Sequence, residues 1–220
     1  MKTIALIPAR LESERFPNKL IKKLHGVPII VRTYLAALNS KLFDQVYVVT
    51  GNDEIIDLIK SKDGLTFKSR KIHQSGTDRI AEAAKEIDHD IVVNLQGDEP
   101  FINIDAINNL ISSFENNTVK MASLMTSFNS FDEINNPNNV KVTVDKNNNA
   151  IFFSRSPIPE GENEIKKFNR HIGVYAFRKN TLINFSSLNR SKNEISQNLE
   201  GNRAIDLSLI HISEPTRRSV

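Results

Sequence analysis

Short β-branched runs alternate with stretches of helical spacing through the first half of the chain, and few folds accommodate that order. Residues 4–7 (Ile-Ala-Leu-Ile), Gln45–Thr50 and residues 90–95 (Asp-Ile-Val-Val-Asn-Leu) read as strands. The third is continuously apolar through its middle, as strands buried on both faces tend to be. Residues 28–37 predict a helix that carries Pro28 in its first turn, and residues 53–60 a helix whose Asp53 and Glu54 suit its dipole. Residues 77–87 and 105–114 predict two more. This βαβα order predicts an α/β fold with a mostly parallel, doubly wound sheet and right-handed crossovers.

Past about residue 118 the texture changes. Residues 120–128, 140–145, 150–154 and 171–178 are extended runs separated by Asn-rich turns, and Asp145-Lys-Asn-Asn-Asn149 is a hairpin connection. We read residues 118–178 as a β-rich extension of the same sheet, so that residues 1–206 form a single domain. A chain of 220 residues can bury a core without staples. It has no cysteine, which excludes disulfides, thiolate metal sites and a cysteine nucleophile. No apolar run approaches the roughly 20 residues that span a bilayer, and no signal-peptide core follows Met1, so a soluble cytoplasmic protein with no membrane partner is expected. The net charge of +3 is too small and too scattered for a nucleic-acid surface.

Three polar clusters punctuate the strands. After the first strand the chain turns through Pro8 and Ala9 into a loop bearing Arg10, Arg15 and Lys19. In open α/β sheets ligands collect at the carboxyl ends of strands, and cations there suit phosphate oxygens, so this loop reads as a triphosphate cradle. A solvated basic loop stiffened by Pro8 and Pro17 is the bland alternative. The second cluster is His73-Gln74-Ser75-Gly76-Thr77-Asp78-Arg79, where Ser75 and Asp78 fit a capping box while Gly76 admits a ligand to a helix N-terminus. In the third, Gln96-Gly97-Asp98-Glu99-Pro100, a hydrophobic strand ends in adjacent carboxylates. Mg²⁺ takes one or two carboxylates with substrate phosphates and water, so Asp98 is the candidate metal ligand; a plain turn is the alternative. No Walker A and no G-x-G-x-x-G sequence occurs.

In order, Ile7-Pro-Ala-Arg-x-x-Ser-x-Arg-x-Pro-x-Lys-x-Leu20, His73-x-Ser-Gly-Thr-Asp-Arg79 and Gln96-Gly-Asp-Glu-Pro100 resemble the 3-deoxy-manno-octulosonate (Kdo) cytidylyltransferases of lipopolysaccharide assembly. The resemblance continues through Asn136-Pro-Asn-x-Val-Lys-Val142, Phe153-Ser-Arg155 with Ile158-Pro159, and His171-Ile-Gly-Val-Tyr-Ala-Phe-Arg178. It implies a Rossmann-like nucleotidyltransferase fold, a homodimer, Mg²⁺, and the reaction of CTP with Kdo to give CMP-Kdo and pyrophosphate. By resemblance Arg10, Arg15 and Lys19 hold the phosphates, and Pro8, Ala9, His73, Gln74, Ser75, Gly76 and Arg79 form the nucleotide site. Gln96, Arg155, His171, Tyr175 and Glu200 are then the sugar-acid contacts. The alternatives are a cytidylyltransferase for another acidic sugar, 8-amino-Kdo or sialic-acid-like, and an inactive nucleotide-binding dimer.

Two departures stand out. The family's Leu-Glu-Gln-Leu-Arg is Leu199-Glu200-Gly201-Asn202-Arg203 here, and its later Gly-Val/Ile-Asp-Thr segment, source of a second metal carboxylate, has no counterpart. Residues 207–220 no longer track the family and are expected to be a non-native or disordered tail on a C-terminally truncated member.

Overall fold

The structure is a computed structural model that describes residues 1–12, 16–207 and, as backbone, 212–215. The chain divides into two compact units: Met1–Ile111 with Ala176–Ser186, and Ser112–Tyr175 with Ser187–Val220. The expected β-rich stretch therefore falls in the second unit, except for its last three residues.

The first unit begins with β1 (Thr3–Pro8), a short hairpin of β2 (Lys23–Leu24) and β3 (Val27–Pro28), and α1 (Ile29–Asn39). It continues through β4 (Gln45–Thr50), α2 (Asp53–Lys60), β5 (Leu65–Lys68), α3 (Gly76–Glu86), β6 (Ile91–Asn94) and α4 (Ile104–Ser112). Its strands lie in the order β6-β1-β4-β5. They run parallel, with Leu6 opposite both Tyr47 and Asn94. Residues 4–7 and 91–93 are fully buried because helices cover both faces. Strand β5 was not legible as a strand: it is four residues long, and Leu65 and Lys68 are exposed at its ends.

The chain leaves β1 for β4 and β5 on one side, then returns to β6 on the other. The loops after β1 and β6 therefore meet at the topological switch point, where α/β sheets open a crevice. Leu95 N donates to Leu6 O at 3.2 Å, so the two strands stay paired up to the point where those loops part.

The second unit holds β7 (Met121–Ser127), α5 (Phe131–Asn135), β8 (Lys141–Val144), β9 (Ala150–Ser154) and most of β10 (Asn169–Arg178). After α6 (Lys179–Ser187), which belongs to the first unit, come α7 (Lys192–Gln197), α8 (Glu200–Asp206) and β11 (Ile212–Pro215). Strands β8 and β9 form the expected hairpin, antiparallel, with Asp145 Oδ1 accepting from the backbone of Asn147 and Asn149 at 2.8 Å each. Asn148 takes the left-handed conformation at φ 63° that such a turn needs. Within the stretch read from sequence as a tail, Ile212–Pro215 pairs in parallel with β7, from Ile212 opposite Ala122 to Pro215 opposite Met125. Backbone pairing needs no side-chain periodicity, which is why no pattern announces this strand. No helix among the described residues is long and apolar enough to cross a membrane.

Candidate active site

At the switch point the chain folds closely around Pro8. A Cβ on Gly76, at the start of α3, would lie 3.1 Å from Pro8 Cγ, and one on Gly97, after β6, would lie 3.1 Å from Pro8 O. Glycine at both positions lets the α3 N-terminus and the β6 loop approach the end of β1 without displacing Pro8. The approach is fixed by Ala9 N donating to Val49 O at 3.0 Å and Thr33 Oγ1 donating to Gly97 O at 3.0 Å. Ser75 caps α3, its Oγ accepting from Asp78 N at 3.1 Å.

These elements enclose a cavity of about 160 Å³. Pro8, Ala9 and Arg10 line it from the β1 end, and His73, Ser75, Gly76 and Arg79 from the α3 end. Gln96 lines it from the end of β6, so a residue assigned from sequence to the sugar acid shares one cavity with the nucleotide residues. Gln74 is exposed and does not line it. Burial first and then the neighbouring Arg10 pull the Arg79 guanidinium below its ordinary pKa, an effect an anion placed between the two would reverse.

Lys19 Nζ and Asp98 Oδ2 pair at 2.5 Å, their side chains 41% and 39% exposed, so the first and third sequence clusters meet. Arg15 lies outside the described residues. Among the described residues no group of three or more His, Asp or Glu side chains could hold a metal by itself. The hard oxygen donor of Asp98 fits Mg²⁺ in the way that ion usually binds, with most of its shell left to phosphates and water.

Sequence reading missed Glu82. Its Oε2 lies 2.7 Å from His73 Nε2 and 2.6 Å from Ser69 Oγ, while its Oε1 accepts from Arg70 N at 3.1 Å. Burial alone would raise this carboxyl, but the hydrogen bonds from Ser69, His73 and Arg70 hold it at about 2. The available signal was a glutamate set between Ala81 and Ala83, buried positions on α3.

The remaining sugar-acid candidates lie in the second unit, and three of them come together. The rings of His171 and Tyr175 are 5.3 Å apart, and the Glu200 charge is close enough to Tyr175 to help burial push its hydroxyl pKa up. His171 Nε2 is 2.8 Å from Ser123 Oγ, and burial pushes the imidazole down to about 3, so it is neutral at physiological pH. Glu200 Oε1 accepts from Arg203 Nη2 at 3.2 Å. Arg155 has a structural duty beside any ligand role. Its Nε donates to Gln197 O at 3.0 Å, Nη1 to Pro137 O at 3.1 Å and Nη2 to Asn198 O at 3.4 Å, which caps the end of α7. All three partners are carbonyls, and its charge is left uncancelled by them.

At the family departure, a Cβ on Gly201 would lie 2.7 Å from the Phe153 ring. The adjacent Asn202 accepts from Phe153 N and donates to Phe153 O, both at 2.9 Å. Glycine and asparagine together let α8 lie directly against β9.

The Cytidylyltransferase family model matches residues 4–212. The 3-deoxy-manno-octulosonate cytidylyltransferase of Flavobacterium johnsoniae is 49% identical over 211 residues, which is 94% of this chain and 86% of that protein. The protein of the same name from Christiangramia forsetii is 45% identical, over 90% of this chain and 82% of its own length. Among solved structures, a CMP:2-keto-3-deoxy-manno-octonic acid synthetase complexed with CTP superposes with a TM-score of 0.93 at 32% identity, covering 98% of this chain and 90% of that one. Fold, motifs and identity over nearly the whole chain agree: it belongs to the 3-deoxy-manno-octulosonate cytidylyltransferase family of nucleotidyltransferases.

Proposed function

We propose that the protein transfers CMP from CTP to the anomeric hydroxyl of Kdo, releasing pyrophosphate, as a step of lipopolysaccharide biosynthesis. The observation that carries this reading is the switch-point cavity, which gathers Arg10, Arg79, His73 and the α3 N-terminus in a chain 49% identical to a Kdo cytidylyltransferase. A triphosphate suits this place: Arg10 and Lys19 meet phosphate oxygens, and the amino end of α3 adds the positive pole of its dipole. Pro8, Ala9, His73, Ser75 and Gly76 surround the base. The Kdo oxygen attacks the α-phosphorus in line, its proton leaves, and the bond from that phosphorus to the departing pyrophosphate breaks. No covalent enzyme intermediate is needed, so positioning and charge neutralisation supply the rate. Asp98 would hold Mg²⁺ beside the phosphates, where the ion supplies further charge neutralisation.

The acceptor is a polyhydroxylated carboxylate. His171 held neutral near 3, a Tyr175 hydroxyl kept protonated and the Glu200 carboxylate offer donors and acceptors for its hydroxyls. The Arg155 guanidinium, hydrogen-bonded to the carbonyls of Gln197, Pro137 and Asn198, suits its carboxylate. A cytoplasmic location follows from the use of CTP, and a homodimer is part of the proposal; light scattering on the purified protein tests the latter.

Pyrophosphate release from CTP and Mg²⁺, measured with Kdo, 8-amino-Kdo and a sialic acid in turn, tests the reading. Release with Kdo well above the others supports it. Preference for another acid would reassign the acceptor, and CTP binding without release under any condition would leave a nucleotide-binding protein in place of an enzyme.

A further inference from the structure

His73 lines the cavity with one ring nitrogen already committed. Its Nε2 faces Glu82 Oε2 at 2.7 Å and Ser69 Oγ at 3.1 Å, and the two paired side chains are only 10% and 13% exposed. Ser69 Oγ lies 2.6 Å from the same carboxylate oxygen, so its proton goes there. Glu82, held at about 2, is ionised across the working range of pH. A carboxylate only accepts hydrogen bonds, so the imidazole carries a proton on Nε2, and in the neutral ring that leaves Nδ1 with a lone pair. The guanidinium groups of Arg10 and Arg79, which also line the cavity, can only donate. In that tautomer the His73 ring, which lines the cavity, brings an acceptor to a site whose charged groups are all donors.

We infer that Glu82 is a positioning residue that fixes His73 as a hydrogen-bond acceptor, and that this acceptor selects a 4-aminopyrimidine nucleotide over its 4-oxo analogue. Cytosine offers an amino donor at position 4 and uracil an oxygen acceptor. Uracil would set a lone pair against a lone pair, and a buried polar group left without its partner discriminates strongly. The inference rests on the reading that the cavity holds the base.

Two measurements on the intact protein decide it, and neither needs turnover. Long-range ¹H–¹⁵N correlation spectra of the nucleotide-free protein at neutral pH should show His73 protonated on Nε2 alone; protonation on Nδ1, in the neutral ring or as an imidazolium, would overturn the proposal whatever the variants do. Calorimetric dissociation constants for CTP and UTP should show a preference for CTP that falls by roughly tenfold or more in Glu82→Gln, because the amide can donate to or accept from Nε2 and frees both tautomers. The same spectra of Glu82→Gln should then show mixed tautomers. An unchanged CTP/UTP ratio in Glu82→Gln, or in His73→Gln should the first variant not fold, would refute the role in selection. Failure of the enzymatic reading would look different: no pyrophosphate release from wild-type protein, with the tautomer and the binding preference intact.

Discussion

Lys19 and Asp98 are 79 positions apart in sequence and meet at 2.5 Å, yet the proposed reaction gives each a separate task. Asp98→Asn keeps the shape and loses the charge that would hold Mg²⁺. Its turnover is expected to fall on the order of 10²-fold or more, as for removal of a charge stabiliser, while the thermal melt is unchanged because the pair is half-exposed. Wild-type turnover in that variant would make Asp98 a turn residue. Lys19→Ala should instead raise the CTP dissociation constant, by roughly 10-fold or more if a charge-assisted phosphate contact is lost. At this scale the residues that the structure brings to the end of β1 and to the loop after β6 were legible as candidates, since a cation or a carboxylate at a strand end has few uses. Glu82 was not legible, because a glutamate inside a helix usually faces water and only the fold reveals that this one faces Ser69 and His73.

Between elements, α8 lies directly against β9 in the second unit. Adding a methyl at Gly201 places it 2.7 Å from the Phe153 ring, which is 1% exposed and has no room to retreat. Gly201→Ala is therefore expected to cost about 1–3 kcal/mol by chemical denaturation. Phe153→Leu in the same chain should recover part of that loss, since it removes the atoms in the way. Equal stability of Gly201→Ala and wild type would mean that α8 stands farther from β9 than described. Strands β1, β4 and β6 announce themselves by largely apolar sequence, whereas β5 is four residues long with exposed ends and α8 has no apolar stripe to announce it. Asn202 explains α8: its amide pairs with the β9 backbone like a short strand, a role invisible in a one-dimensional pattern.

For the molecule as a whole, titratable groups shielded from water contribute to the loss of stability in acid. The His171 pKa is depressed from 6.5 to about 3, so the unfolded chain takes up a proton that the folded one refuses. Its contribution is complete above pH 6.5 and declines as pH falls toward 3, by about 1.4 kcal/mol per pH unit. Glu82, depressed from 4.5 to about 2, adds a second loss that begins only below pH 4.5. Urea unfolding at pH 7, 6 and 5 should show stability falling, with a shallower slope in His171→Gln; parallel slopes would place His171 in contact with water. The parallel architecture was readable from the order of elements; the switch point, which depends on the order of strands in the sheet, was not. The division into two units was not, because contact density depends on where the returning strand β10 lies.

The claim that joins these scales is that CTP occupies the cavity between the ends of β1 and β6, and calorimetry of CTP with wild-type protein and Arg10→Ala tests it. Arg10 is exposed and lines the cavity, so its loss should leave folding intact. Removing one charge-assisted phosphate contact should raise the dissociation constant by roughly 10- to 150-fold, with UTP bound more weakly than CTP by wild-type protein. Equal CTP affinity in the two proteins would place the nucleotide elsewhere and contradict the site.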